Sequence, residues 1–220
     1  MSRIVLVTGA SGGLGPFIVR AFQARGDTVV AVGRDLHKLR KVAGGGHEVT
    51  ADVSTESGAD HAVTQAEQFG PLAAVVCAAG GWQGGDSLDA WNAMMTQNAL
   101  SAFLVARSAF KVMKARGEGR IVLVGSVAAL DGAGDAMAYA ASKAAVVSVV
   151  KSLAAAGHSH GVTANAVVPS TIDTPGNRAA MPQANPAAWV RPEEVASAIV
   201  YLASEEASGV TGSLLTLPGH

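Results

Sequence analysis

The sequence predicts an α/β fold built on one doubly wound parallel sheet of about seven strands flanked by helices. Three observations carry this. Short apolar runs alternate with longer helical patterns through all 220 residues, as βαβ units require. The first run, Arg3-Ile4-Val5-Leu6-Val7, is continuously apolar, as suits a strand buried on both faces of a parallel sheet. A glycine-rich turn, Thr8-Gly9-Ala10-Ser11-Gly12-Gly13-Leu14-Gly15, joins the first run to the first helical pattern.

Taken in order, Arg3-Ile4-Val5-Leu6-Val7 begins a strand near residues 3–8, and Leu14 to Phe22 shows the spacing of a helix near 14–26. Thr28-Val29-Val30-Ala31-Val32 gives a second strand near 28–33, ending at Gly33-Arg34-Asp35. The brief run Ala43-Gly44-Gly45-Gly46 reads as a turn before a third strand near 47–50. Further strands are expected near 72–78, 119–125, 162–168 and 213–217. Further helices are expected near 57–69, 87–115, 137–157 and 192–204. Pro192 suits the first turn of the last one. Residues 175–186, rich in Pro, Ala, Asn and Met, have no sustained periodicity; they read as a substrate lid or an ordinary surface connection. No linker divides the chain, so residues 1–220 are expected to form one domain.

A strand that passes through a glycine turn into a helix aims backbone N–H groups and a helix N-terminus at a pyrophosphate. That makes the fold Rossmann-type in expectation. The spacing here is Gly9-x-x-x-Gly13-x-Gly15, which a flexible loop or a nucleoside-binding methyltransferase turn would also explain. Arg34 lies nineteen positions after Gly15, near where an acidic residue binds the ribose of NAD and an arginine accommodates the 2′-phosphate of NADP. Its planar fork of donors, with Lys38 and Arg40 nearby, favours NADP. Asp35 keeps NAD as the less favoured alternative.

Tyr139 and Lys143 are four residues apart in a predicted helix, so they share one face. An ammonium beside the phenol favours phenolate and would bring Tyr139 down from about 10 toward the range useful in acid–base catalysis. The alternative is a buried tyrosine and a surface lysine. Ser126 lies thirteen positions before Tyr139, at the end of a predicted strand.

With these motifs in this order, the chain resembles a short-chain dehydrogenase/reductase along nearly its whole length. Asp52-Val53 is similar to the family's adenine-contacting pair. Val75-Val76-Cys77-Ala78-Ala79-Gly80 stands where the family usually has Asn-Asn-Ala-Gly. Asn98 matches the active-site asparagine, Gly119 to Ser126 the strand ending in the catalytic serine, and Asn165 to Thr174 the Pro-Gly loop over the nicotinamide. The resemblance implies a catalytic set of Asn98, Ser126, Tyr139 and Lys143. Tyr139 delivers a proton, Ser126 holds the substrate heteroatom, Lys143 lowers the Tyr139 pKa and binds the ribose, and Asn98 positions a water that refills the proton through Lys143. The implied cofactor contacts are Gly9, Ser11, Gly13, Leu14 and Gly15 in the turn, and Arg34, Asp52 and Val53 around the adenosine. Ala79, Gly80, Tyr139, Lys143, Pro169, Ile172 and Thr174 surround the nicotinamide half. Two departures stand out: Cys77 and Ala78 replace asparagines whose amides brace the central strands, and Ser170 replaces a loop glycine.

A narrower resemblance to the dihydropteridine reductase branch rests on Ala79-Gly80-Gly81-Trp82-Gln83-Gly84-Gly85, Ala128 to Gly132, and Asp173 to Arg178 with Met181-Pro182. It implies a quinonoid dihydropterin as alternative substrate, with Trp82 stacking on a flat heterocycle or packed on the protein's own surface. The main expectation is a small carbonyl, alcohol or pterin-like substrate. A non-catalytic dinucleotide sensor is the alternative class.

Composition narrows the partners. A net charge of −1 offers no basic patch for nucleic acid, and no apolar run is read as long enough to cross a bilayer. Cys77 is the only cysteine, so no internal disulfide forms and a cytoplasmic location is expected. No metal is expected; His158 and His160 read as surface residues without further ligands nearby. Apolar residues on more than one face of the helices near 87–115 and 137–157 predict a homodimer or homotetramer.

Overall fold

The computed structural model describes residues 2–220. Seven strands form one sheet in the order β3-β2-β1-β4-β5-β6-β7: β1 Ile4–Thr8, β2 Thr28–Gly33, β3 His47–Thr50, β4 Leu72–Cys77, β5 Gly119–Val124, β6 Val162–Pro169 and β7 Leu214–Leu217. Every neighbouring pair is parallel. Strand order reverses between β1 and β4, the switch point where doubly wound sheets bind ligands.

The apolar strands serve two cores at once. Ile4 and Leu6 of β1 face one cluster with Val30, Val75 and Ile121, whereas Val5 and Val7 face the other with Val29, Val76 and Val122. Helices α1 (Gly15–Ala24) and α9 (Pro192–Leu202) cover the second face with Ile18, Phe22, Val195 and Ile199. Helices α3 (Glu56–Glu67), α5 (Ser101–Arg116) and α7 (Met137–Gly157) cover the first.

Several elements differ from the sequence expectation. Helix α2, Leu36–Ala43, was not expected; it begins on the Asp35 side chain, which accepts from Lys38 N, and ends at Gly44 with φ 51°. The helix expected over 87–115 is α4 (Leu88–Met94) and α5, joined by a π-helical segment, Met95–Leu100. The wider π turn carries Asn98 into the interior, where it is 1% exposed. Helix α6 (Ala128–Asp131) is a single turn after β5. The unpatterned segment 175–186 holds α8, Pro175–Ala180, capped by the Thr174 hydroxyl.

The reading that no run is long enough to cross a membrane needs correction. The continuous helix Met137–His160 is long and apolar enough by length and composition, because Ala and Val raise its mean hydropathy to 1.3 despite Lys143 and Lys151. Its inner face nevertheless packs Val146, Val150 and Ala154 into the sheet core.

Candidate active site

The glycine turn sits at the switch point. Gly9 has φ +66°, and a Cβ there would lie 2.7 Å from Ala78 O and 2.8 Å from the Ala79 backbone. Only glycine lets the turn pass so close to the exit of β4. Gly12 N–H donates to Gly9 O, while Ser11, Gly13 and Leu14 N–H have no backbone acceptor among the described residues. Helix α1 begins next, with proline in its first turn and no side-chain cap on its N-terminus. Unpaired amides and an uncapped helix start fit a pyrophosphate.

The loss of Asn amides at 77 and 78 is offset by a residue that sequence reading did not single out. The Thr8 hydroxyl donates to Val76 O at 3.4 Å and accepts from Ala79 N at 3.2 Å, joining β1 to the β4 exit. A threonine closing a strand directly before the turn was the available signal.

At the end of β2, Asp35 is committed to α2. It accepts from Lys38 N at 3.1 Å, lies 3.8 Å from Lys38 Nζ, and is held below the usual carboxylate range first by that backbone bond. Arg34 is exposed and makes no ion pair among the described residues. Gly33 brings the Ser11 hydroxyl alongside: a Cβ at Gly33 would lie 3.2 Å from Ser11 Oγ. An exposed guanidinium without an ion-pair partner among the described residues is able to bind an anion. Asp52 accepts from Ser54 N and Oγ, which hold its carboxyl low, and Val53 behind it is buried.

The four expected catalytic residues converge at the C-terminal edge of β4 and β5. Ser126, 8% exposed, follows β5 and accepts from Ala128 N at 3.3 Å. Tyr139 lies in the first turn of α7. Burial pushes its phenol up, opposed by a hydrogen bond with the Ser126 hydroxyl. Lys143 is 7% exposed; its ammonium donates to Val124 O at 3.0 Å and lies 5.9 Å from the Tyr139 ring centroid. Burial lowers its pKa to about 8. The expected lowering of Tyr139 by Lys143 is therefore absent: desolvation dominates both groups, and the ammonium faces a carbonyl instead of the phenol. A neutral phenol at neutral pH is the form that donates a proton.

The Asn98 side chain is held by protein partners. Its Oδ1 accepts from Gly81 N at 2.9 Å, and its Nδ2 donates to Gly81 O at 3.1 Å and to Ser142 Oγ at 3.0 Å. Ser142 in turn donates to Tyr139 O at 2.7 Å. Both amide hydrogens are used, so the side chain has no donor left for a water. It ties the loop after β4 to α7. Gly80 must be glycine for this: a Cβ would lie 2.5 Å from Asn98 Oδ1 and 3.7 Å from Lys143 Nζ.

Pro169 ends β6, and the loop after it carries Ile172 and then Thr174 to the glycine turn. A Cβ on Gly13 would lie 3.3 Å from Thr174 Cβ. Arg178 of α8 is held by Asp173 through Nε and Nη2 at 2.5 and 2.7 Å. Trp82, in the glycine-rich loop 80–85, is 66% exposed. His158 and His160 lie in a short 3₁₀ turn, and the described residues hold no group of three His, Cys, Asp or Glu able to bind a metal.

A parallel sheet with a glycine turn at its switch point, and a serine, tyrosine and lysine at the same edge, defines a dinucleotide-dependent oxidoreductase. The chain belongs to the short-chain dehydrogenase/reductase family, whose profile, described as short chain dehydrogenase, matches residues 3–185. It is 35% identical to the 3-oxoacyl-[acyl-carrier-protein] reductase MabA of Mycobacterium tuberculosis, over all of this chain and 92% of the relative. It is 33% identical to the cis-4-hydroxycyclohexanecarboxylate dehydrogenase of Sinomonas cyclohexanicum, over 99% of this chain and 95% of that one. Among solved structures, an actinorhodin polyketide ketoreductase with NADPH superposes with a TM-score of 0.90 at 28% identity, covering 99% of this chain and 96% of that chain. An oxidoreductase from Burkholderia thailandensis gives 0.87 at 30% identity, with 98% and 91% covered.

Proposed function

We propose that this enzyme is an NADP-dependent carbonyl reductase or alcohol dehydrogenase in which Tyr139 is the general acid and base. The observation that carries this is the convergence of Ser126, Tyr139 and Lys143 beside Gly80. The nicotinamide cofactor supplies the hydride when bound. Tyr139 donates its phenolic proton to the substrate oxygen, and Ser126 hydrogen-bonds that oxygen and holds it in place. Lys143, with one bond to Val124 O, has two N–H groups left for the ribose hydroxyls. Asn98 keeps Gly81 and the Tyr139 turn in register.

Arg34 favours NADP over NAD, because it is free and Asp35 is not. The NADPH-bound ketoreductase among the structural neighbours agrees with this. The substrate we infer is an uncharged small carbonyl compound. The two arginines near the lid are already paired, Arg178 with Asp173 and Arg191 with Glu194. Exposed Trp82 also favours testing a flat heterocycle such as quinonoid dihydropterin. A dinucleotide sensor would have no need of the three converging side chains.

The experiment is NADPH and NADH oxidation with a panel of aldehydes, ketones, quinones and quinonoid dihydropterin, run on wild type and Arg34→Asp. Turnover with NADPH is expected, and Arg34→Asp should lower or reverse the cofactor preference by removing a phosphate partner and adding a repelling charge. An unchanged ratio of catalytic efficiencies would show that Arg34 does not face the 2′-phosphate. Binding without turnover on every acceptor would favour the sensor.

We also propose a homodimer or homotetramer in the cytoplasm. Much of the apolar helix Met137–His160 is not buried within the chain. Phe103 on α5 is 42% exposed. A second copy covering these helices would remove both from water. Light scattering at micromolar concentration should give a multiple of the chain mass; a monomer would refute the assembly.

A further inference from the structure

Ser170 stands where the family resemblance leads one to expect glycine, and the structure gives its side chain a task. Its N–H donates to Leu217 O at 2.9 Å, and its hydroxyl donates to Pro218 O at 2.8 Å. The next three residues are held from the other side. Val190 N donates to Thr171 O at 2.9 Å, and Asp173 N donates to Val190 O at 2.8 Å. His220 N donates to Ala188 O at 3.2 Å, which links residues 217–220 to the 188–190 segment. The loop 170–173 is therefore clamped between two segments that also hold each other.

Beyond that clamp the loop reaches the cofactor turn, because Thr174 packs against Gly13. Ser170 carries no backbone strain, since no described residue other than glycine has positive φ. Glycine at 170 would widen the backbone freedom of the loop and could not make the bond to Pro218. Residues 217–220 are tied in turn to α9, where Glu194 lies 3.1 Å from His220 Nε2 and accepts from Arg191 N at 3.0 Å.

We propose that Ser170 is a positioning residue whose hydroxyl straps the 169–174 loop to residues 217–220 and thereby slows dissociation of the dinucleotide. This rests on the reading that 169–174 covers the nicotinamide. Loop opening often limits product release in such enzymes, so the strap would act on cofactor exchange and leave the proton-transfer groups untouched. One hydrogen bond of ordinary net strength corresponds to a change of roughly three- to tenfold in an equilibrium or rate governed by loop opening.

The test compares wild type with Ser170→Ala, Ser170→Gly and Ser170→Thr. NADPH dissociation is measured by stopped-flow fluorescence, and hydrogen exchange of the 170–174 amides is measured in the cofactor-free protein. Ser170→Ala should release NADPH roughly three- to tenfold faster and exchange faster across 170–174, with a melting temperature close to wild type. Ser170→Gly should go further in both. Ser170→Thr keeps the hydroxyl and should restore both values. Wild-type exchange and release in Ser170→Ala would overturn the strap. Faster exchange with unchanged release would leave the strap in place and overturn its role in cofactor exchange. A wild-type protein that binds no NADPH would overturn the cofactor reading, while the exchange data still decide whether Ser170 holds the loop.

Discussion

Tyr139→Phe is expected to cut carbonyl reduction by about 10²–10⁴-fold, the usual contribution of a positioned general acid, while NADPH binding stays near wild type. The ring remains to fill its place in the first turn of α7, so the fold and the Ser142 bond to the residue 139 carbonyl persist. Only the hydroxyl that meets Ser126 is lost. Lys143→Ala should behave differently, since the buried ammonium donates to Val124 O and, on the proposed reading, has donors left for the ribose. Its loss should raise the NADPH Kd as well as lower kcat. Quinonoid dihydropterin is the informative acceptor, because a reactive substrate needs less protonation help and its reduction should survive Tyr139→Phe better than that of a ketone. Because burial raises the Tyr139 phenol, alcohol oxidation, which needs phenolate, should gain rate as pH rises, whereas reduction needs no deprotonation. Steady-state rates and cofactor titrations on both variants check these outcomes. Near wild-type ketone turnover in Tyr139→Phe would remove it from the chemistry.

The central strands β1, β2, β4, β5 and β6 were legible because they are buried through most of their length, so apolar residues appear there in nearly unbroken runs. The proximity of Ser126, Tyr139 and Lys143 was legible from residues four apart on one helix, a serine closing the preceding strand and the order of the other motifs. Helix α2 was not, since only Leu39 and Ala43 of its eight residues are buried and its charged residues hide the period. Yet Asp35 before Leu36 is an ordinary N-cap signal, and recognising it would have marked the start of this helix. The π segment left no trace in the sequence, because one wide turn shifts register without changing which residues are apolar. Its effect is large all the same, since it decides that Asn98 faces Gly81 and Ser142. The direction of the Tyr139 and Lys143 pKa shifts depends on burial against β5, which spacing within one helix does not reveal.

Gly9→Ala is expected to destabilise the fold by about 2–5 kcal/mol, and comparison with Gly26→Ala separates the causes. Both glycines have positive φ, +66° and +83°, so both substitutions carry the backbone penalty of a side chain in the left-handed region, about 1–2 kcal/mol. At Gly26 nothing lies within 4 Å of the added Cβ, and the cost should stop there. At Gly9 the new Cβ meets Ala78 O and the Ala79 N and Cα at 2.7 to 2.8 Å. These are backbone atoms held by the β1–β4 register and by the Thr8 bond to Ala79 N, so they cannot rotate aside. Overpacking against fixed atoms adds about 1–3 kcal/mol. Any relief must come from pushing the β4 exit outward, which moves Gly80 away from Lys143 and Gly81 away from Asn98. Urea unfolding of the two variants, read as shifts in midpoint at constant m-value, should therefore show a clearly larger loss for Gly9→Ala, accompanied by weaker NADPH binding that Gly26→Ala lacks. Equal midpoints would mean that the close approach of the turn to β4 imposes no constraint, and that positive φ alone accounts for glycine at position 9.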